Sequence, residues 1–308
     1  MVSNLERTAD PQGHGPATHL LMDAASQIGA SLRSYRILAA TNHGDADLEL
    51  AASLTGGPPG SRVQEAAFQE GDCVWLSSAC TGGLHLLWLA SLEAAEKDGP
   101  WLIVAGDALS SIGIAGFQSA GATGQRAPQP FREGSGGMLV AEGAVAIELR
   151  TDEIAHSPRV LGIAATCDAG HPTHPDPTGQ WLERCIREAL GYAACSPVDI
   201  AAVVAHGTGT RLNDSVESMV LANVFGSAKP VVTSLKGTVG HMMSAAGLLN
   251  VAAAAEIWRT GRVPPCVGQG AALGELVLAD GDSVIARESR ILVLASGFGG
   301  NNVAAVVG

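Results

Sequence analysis

Two kinds of apolar pattern alternate along this chain. Short continuous apolar blocks bounded by turn formers read as strands, at 35–40, 73–77, 101–105, 139–149, 160–166, 201–205, 231–234, 283–286, 290–294 and 303–307. Longer segments with apolar residues spaced three and four apart read as helices, at 19–32, 84–97, 181–190, 214–225 and 245–258. A further helix candidate, 47–54, stops at the breaker run Gly56-Gly57-Pro58-Pro59-Gly60. Residues 116–136 and 168–179 read as loops, and residues 1–18, with Pro11, Gly13, Gly15 and Pro16, as a loose tail. Strands that are apolar throughout belong to sheets covered on both faces, so the pattern predicts an α/β fold.

With 308 residues the chain is long enough for one large domain or two fused halves. Hydrophobic residues make up 46% and charged residues 16%, which predicts a large core under a thin charged surface. The net charge of −12 argues against nucleic acid or an anionic membrane as the main partner, because both need a basic face. The six cysteines, at 73, 80, 167, 185, 195 and 266, have neither metal-ligand spacing nor the density of a disulfide framework. No signal peptide and no apolar run of membrane-spanning length is evident, so a reduced, soluble, cytoplasmic protein is expected.

Three motifs carry chemistry. Cys80 lies in Trp75-Leu76-Ser77-Ser78-Ala79-Cys80-Thr81-Gly82-Gly83, between a strand and a helix. A helix N-terminus or a nearby imidazolium lowers a thiol pKa and favours the reactive thiolate. The other five cysteines read as small buried hydrophobes. His206 follows a strand and is followed by Gly207-Thr208-Gly209-Thr210, whose hydroxyls suit a polar ligand arm; Asp214 and Glu217 then read as helix-start charges. Lys236-Gly237-Thr238-Val239-Gly240-His241 follows another strand, and Ala245-Ala246-Gly247 opens a helix behind it. The strand–turn patterns at Cys80 and His206 suggest two related halves.

Taken together, and in this order, these motifs resemble those of the β-ketoacyl synthases, the condensing enzymes of the thiolase superfamily. Gly297-Phe298-Gly299-Gly300-Asn301-Asn302 matches a fourth motif, and weaker matches fall at Pro130-Phe131, Glu142-Gly143-Ala144 and Asp168-Ala169-Gly170-His171. The resemblance covers roughly residues 70–308. It implies a thiolase-like layered α-β-α-β-α fold of two halves, 19–150 with the nucleophile and 151–308 with both histidines, the first half abbreviated. It implies that Cys80 accepts an acyl group, and that His206 and His241 assist decarboxylation of a malonyl thioester, with Lys236 supporting them electrostatically. The N–H groups of Cys80 and Phe298 form the implied oxyanion hole, and Phe298 gates the acyl and malonyl sites. Thr208 and Thr210, with Gly299 and Gly300, hold the substrate arm. The implied substrates are thioesters of an acyl carrier protein or coenzyme A. The resemblance further implies a homodimer, or a heterodimer with another ketosynthase-like subunit, joined through the strand at 73–77, and neither metal nor redox cofactor.

Several positions depart from the family pattern. Only 79 residues precede Cys80, so the expected chain is N-terminally shortened. Asn250 stands nine residues after His241, where the family has a glutamate. Arg132, Ser135 and Met138 replace family residues after Pro130-Phe131. An acidic carrier protein needs a basic patch to dock on, for which Arg33, Arg36, Arg126 and Arg132 are candidates. Two other readings remain: a thiolase-fold acyltransferase without condensation, and a shortened partner subunit of a heteromeric synthase.

Overall fold

The computed structural model describes residues 15–29, 31–46, 67–68 and 73–308. The helix expected at 47–54 lies outside them. The first sheet holds β1 (Arg36–Ala40), β2 (Cys73–Leu76), β3 (Trp101–Asp107) and β4 (Gly143–Leu149) in the order β2-β1-β3-β4. The first three are parallel, and β4 runs antiparallel to β3. The second sheet holds β5 (Val160–Cys167), β6 (Ile200–Val204), β7 (Val231–Thr233), β8 (Val277–Leu278), β9 (Arg290–Gly297) and β10 (Asn301–Val307), in the order β5-β10-β9-β6-β7-β8. The helices are α1 (Pro16–Ser26), α2 (Gly82–Ala94), α3 (Ser111–Ser119), α4 (Gln180–Tyr192), α5 (Arg211–Phe225), α6 (Lys236–Val239) and α7 (Ala246–Thr260).

Successive strand residues point to opposite faces, so apolar blocks feed two cores at once. Ile37, Ala39, Leu102 and Val104 face α1, while Leu38, Ala40, Ile103 and Ala105 face inward. The inward set meets Leu84 and Leu87 of α2, Leu248 and Val251 of α7, and Val204, Val293 and Ala305 of the second sheet. The other face of that sheet packs Leu292, Leu294 and Val306 against α4 and α5. The layers are therefore α1, first sheet, α2 with α7, second sheet, and α4 with α5: the expected α-β-α-β-α arrangement. Glycines let the central helices close up. A Cβ on Gly83 would lie 2.7 Å from Leu248 Cγ and 2.8 Å from Ser244 O.

The halves share a wiring plan. β1 pairs with β2 and β3 in parallel, and β3 with β4 antiparallel; β6, β7, β9 and β10 repeat that pattern. β10 pairs further with β5. α2, the helix after β2, and α7, which follows β7 and the short α6, form the shared central layer.

Several expected boundaries move. The tail ends by Pro16, which opens α1 at a position where its fixed φ suits a first helical turn, and α1 stops at Ser26 rather than 32. α3 falls partly inside the loop expected at 116–136; the Ser110 hydroxyl caps it, accepting from Gly113 N at 3.3 Å. β4 begins at Gly143 rather than 139, because Leu139 and Ala141 are engaged by the second histidine segment: His241 N donates to Leu139 O, and Ala141 N to His241 O. No strand forms at 283–286, where Val284 makes only a single bridge to Arg262.

Candidate active site

The site lies at the carboxyl ends of the parallel strands, where ligands of such sheets commonly bind. From β2 the chain reaches Cys80 through a turn in which Ala79 adopts φ 51°, an uncommon conformation for a residue with a side chain. Cys80 is 4% exposed and directly precedes α2, whose N-cap is Thr81. The Thr81 hydroxyl donates to Ser78 O at 2.6 Å and holds the turn. On the other side a Cβ on Gly297 would lie 3.1 Å from Cys80 N, so the Gly297–Phe298 backbone runs close alongside the nucleophile.

β6 delivers His206, and two buried carboxylates shape the loop after it. Asp214 lies in the first turn of α5, as expected, with Glu217 one turn on, and both are buried, each 1% exposed. Glu217 accepts from His206 N at 2.7 Å and from Gly207 N at 2.8 Å. Asp214 accepts from Thr208 N at 3.0 Å, Gly209 N at 3.1 Å and Phe131 N at 2.8 Å. These bonds satisfy buried N–H groups that no ladder reaches. The Thr208 and Thr210 hydroxyls lie 2.8 Å apart.

β7 delivers Lys236 and His241. Lys236 is buried; its Nζ lies 3.3 Å from His206 Nδ1 and donates to His206 O. His241 Nδ1 accepts from Met243 N at 3.3 Å. In both imidazoles Nδ1 therefore faces a donor, which assigns the ring proton to Nε2. The two rings stand edge to face, with centroids 5.4 Å apart.

Electrostatics agree with that tautomer. Burial, then the Lys236 ammonium, hold His206 and His241 well below the ordinary histidine value, so both are neutral near pH 7. Burial brings Lys236 down to about 8, with Glu217 foremost in holding its proton on. Burial also pushes Glu217 up to about 7. The Cys80 thiol is pushed up to about 12 by burial, with Lys236 pulling it down and Asp107 adding to the rise. Of the two influences named from the sequence, no imidazolium lowers it; the cation on this side is Lys236, and the N-terminus of α2 adds a dipolar pull towards the thiolate.

One cavity of about 100 Å³ is lined by Cys80, His206, His241 and Phe298, with Thr208, Thr210 and Gly300. Lys236 and Gly299 are not among its lining residues. Gly299 adopts φ 81°, and its N–H donates to Pro172 O at 2.8 Å. The Phe298 ring lies 5.5 Å from the Phe117 ring. Sequence reasoning missed Phe117, His174 and Ser296, which also line the cavity, as does Asn302 of the fourth motif. Their only signal is nearness to recognised motifs, and Phe117 lacks even that. Among the described residues no group of three or more His, Cys, Asp or Glu side chains is arranged to hold a metal ion, and no helix is long and apolar enough to cross a membrane.

Two positions singled out in the sequence gain a setting. The Asn250 amide on α7 donates to Ala205 O at 3.2 Å and Leu294 O at 3.1 Å, tying the ends of β6 and β9. Arg36 lies at the opposite end of β1 from the site and pairs with Glu93 at 2.6 Å, so it joins no basic patch at the cavity mouth.

Comparison with known proteins places this geometry. Residues 158–269 match the family model "Beta-ketoacyl synthase, C-terminal domain". The chain is 32% identical over 267 residues to "Actinorhodin polyketide putative beta-ketoacyl synthase 1" of Streptomyces coelicolor, covering 80% of this chain and 57% of that protein. It is 29% identical over 216 residues to "3-oxoacyl-[acyl-carrier-protein] synthase 2" of Coxiella burnetii, covering 64% of this chain and 52% of that protein. The chain thus spans little more than half the length of these relatives. Among solved structures, the ishigamide ketosynthase/chain length factor superposes with a TM-score of 0.81 at 25% identity, covering 98% of this chain and 84% of that one. A β-ketoacyl synthase from Burkholderia phymatum shares the fold at a TM-score of 0.84 and 23% identity, covering 99% of this chain and 86% of that one.

Proposed function

The chain belongs to the β-ketoacyl synthase family of the thiolase superfamily, and we propose that it catalyses decarboxylative Claisen condensation of an acyl thioester with a malonyl thioester, in fatty-acid or polyketide-type synthesis. The observation that carries this reading is one cavity lined by a thiol and by two neutral imidazoles, each presenting Nε2–H.

Cys80, deprotonated as it reacts, attacks the carbonyl carbon of the acyl thioester. The carbon–sulfur bond to the carrier breaks, and the carrier thiol leaves with the proton. A malonyl thioester then binds, its arm held by Thr208 and Thr210 and by the glycine loop at Gly300. Its carboxylate departs as carbon dioxide, leaving the electron pair in an enolate whose oxygen accepts from Nε2–H of His206 and His241. Neutral donors aimed at developing negative charge in a dry site need no reorganisation as the charge appears. Lys236, behind His206, adds positive potential. The enolate carbon attacks the acyl-Cys80 carbonyl, the N–H groups of Cys80 and Phe298 hold the tetrahedral oxyanion, and the Cys80 thiolate leaves. Phe298, against Phe117, separates the two half-reactions as a gate. The catalytic units are the halves 19–150 and 151–308.

The donor is an acyl carrier protein or a coenzyme A thioester, and the setting is cytoplasmic. Subunits pair through β2, an edge strand among the described residues, with a second copy or a ketosynthase-like partner. The ketosynthase/chain length factor pairing named for a structural neighbour supports the second option.

Intact-mass spectrometry tests the nucleophile. An acyl thioester donor should leave one acyl mass on the wild-type protein and none on Cys80→Ala. Malonyl thioester should then discharge it with release of carbon dioxide, and His206→Ala or His241→Ala should block discharge more than acylation. Acylation at another cysteine refutes the assignment, and acylation without carbon dioxide release marks an acyltransferase instead.

A further inference from the structure

Asp107, the last residue of β3, is fully buried. Among the described residues five donors converge on its carboxylate. Oδ1 accepts from the Thr41 hydroxyl at 2.9 Å, Asn42 N at 2.7 Å and His43 N at 2.9 Å, all in the loop that leaves β1. Oδ2 accepts from Ser244 N at 3.0 Å and from the Ser244 hydroxyl at 2.5 Å. Ser244 belongs to the second half, three residues after His241. The two contacts on this turn are consecutive: Met243 N–H holds the His241 imidazole, and the next N–H, that of Ser244, is held by Asp107. Met243 adopts φ 45°, a conformation that costs free energy and persists where surrounding bonds over-determine it. The turn also abuts the nucleophile helix, since a Cβ on Gly82 would lie 3.1 Å from Ser244 Cβ.

We propose that Asp107 is a positioning residue that clamps the two halves at the active site, fixing the Ser244 turn and through it the His241 imidazole relative to Cys80. Its carboxylate does not line the cavity and touches no substrate. It acts through the turn, and it also places a fixed negative charge within reach of the nucleophile.

The test uses the full chain in a Cys167→Ser background, with Ser244→Ala and Asp107→Asn as variants and three readouts. Carbon dioxide release from malonyl thioester should fall roughly ten- to a hundredfold in kcat in both variants with KM nearly unchanged, because misplaced groups lose rate rather than binding. Alkylation of Cys80, followed against pH and mapped by peptide mass, should move to lower pH in Asp107→Asn, where a negative charge is lost, and stay in place in Ser244→Ala. The 15N spectrum of His241, assigned by its loss in His241→Gln, should show Nε2–H fixed in wild type and a tautomer mixture in both variants. Because the carbon dioxide readout rests on the condensation reading, the alkylation and 15N readouts stand apart from it. A wild type that releases no carbon dioxide but shows both other effects refutes that reading and keeps the clamp. An unchanged His241 spectrum in Ser244→Ala refutes the clamp, as does failure of both variants to fold, which would mark a purely structural role.

Discussion

Glu217 shows how one side chain can govern several at once. Its two oxygens hold the His206 and Gly207 N–H groups, and its charge leads those that keep the proton on Lys236. With Lys236 brought down to about 8, carbon dioxide release should lose rate as pH rises through that value, since the ammonium is then discharged. Glu217→Gln removes the charge, so Lys236 should titrate lower still and the alkaline limb should shift down by on the order of one pH unit. A rate–pH profile checks this; an unmoved limb would detach Glu217 from Lys236. At this scale the sequence revealed the groups proposed to react and concealed their supports. Cys80, His206 and His241 stand out because small residues frame them. Asp214, Glu217 and Asn250 look like ordinary helix residues until folding turns them inward. The substitution at 250 reads as a missing charge, yet the structure makes it a two-donor brace that a glutamate is unable to provide.

Among elements, the pair α2 and α7 matters most, because each follows a reactive segment and the two pack on each other through small residues. Gly83→Val should cost about 1–3 kcal/mol, since its Cβ would begin 2.7 Å from Leu248 and 2.8 Å from a backbone oxygen. Chemical denaturation would measure the loss, and a cost near zero would show that the layer gives way easily. Long helices and apolar strands were legible because their periodicity is strong. α3 was not, because SIGIAGFQS has little amphipathic contrast and two glycines. The start of β4 was not, because a non-local partner, the His241 segment, takes the residues that pattern alone assigns to the strand.

For the whole molecule, burying two neutral histidines ties stability to pH. Their folded pKa values lie below the unfolded 6.5, so the unfolded chain gains protons first and stability falls as pH drops below 6.5. Glu217 opposes this: its folded value of about 7 exceeds the unfolded 4.5, so its contribution falls as pH rises across that window. His85, also held low by burial, joins the two histidines, and Asp214, raised by burial, joins Glu217; three groups against two leave stability rising with pH between 4.5 and 6.5. Urea titrations at pH 5 and 6.5 should show the higher stability at 6.5, and Glu217→Gln should steepen the trend; a flat or reversed trend would mean that the histidines are charged in the folded protein. The two-half plan was only partly legible, because topology repeats where residues do not.

That plan bears on how such sequences are read by similarity. The stretch matching the family domain, residues 158–269, holds both histidines and the lysine, while Cys80, the sulfur proposed to carry the acyl group, lies outside it, in the other half. A gene fragment encoding that stretch alone would be counted as kin and yet own no place to load cargo. A match to the domain model alone therefore records kinship without the thiol, and the condensation proposed for this polypeptide needs both parts.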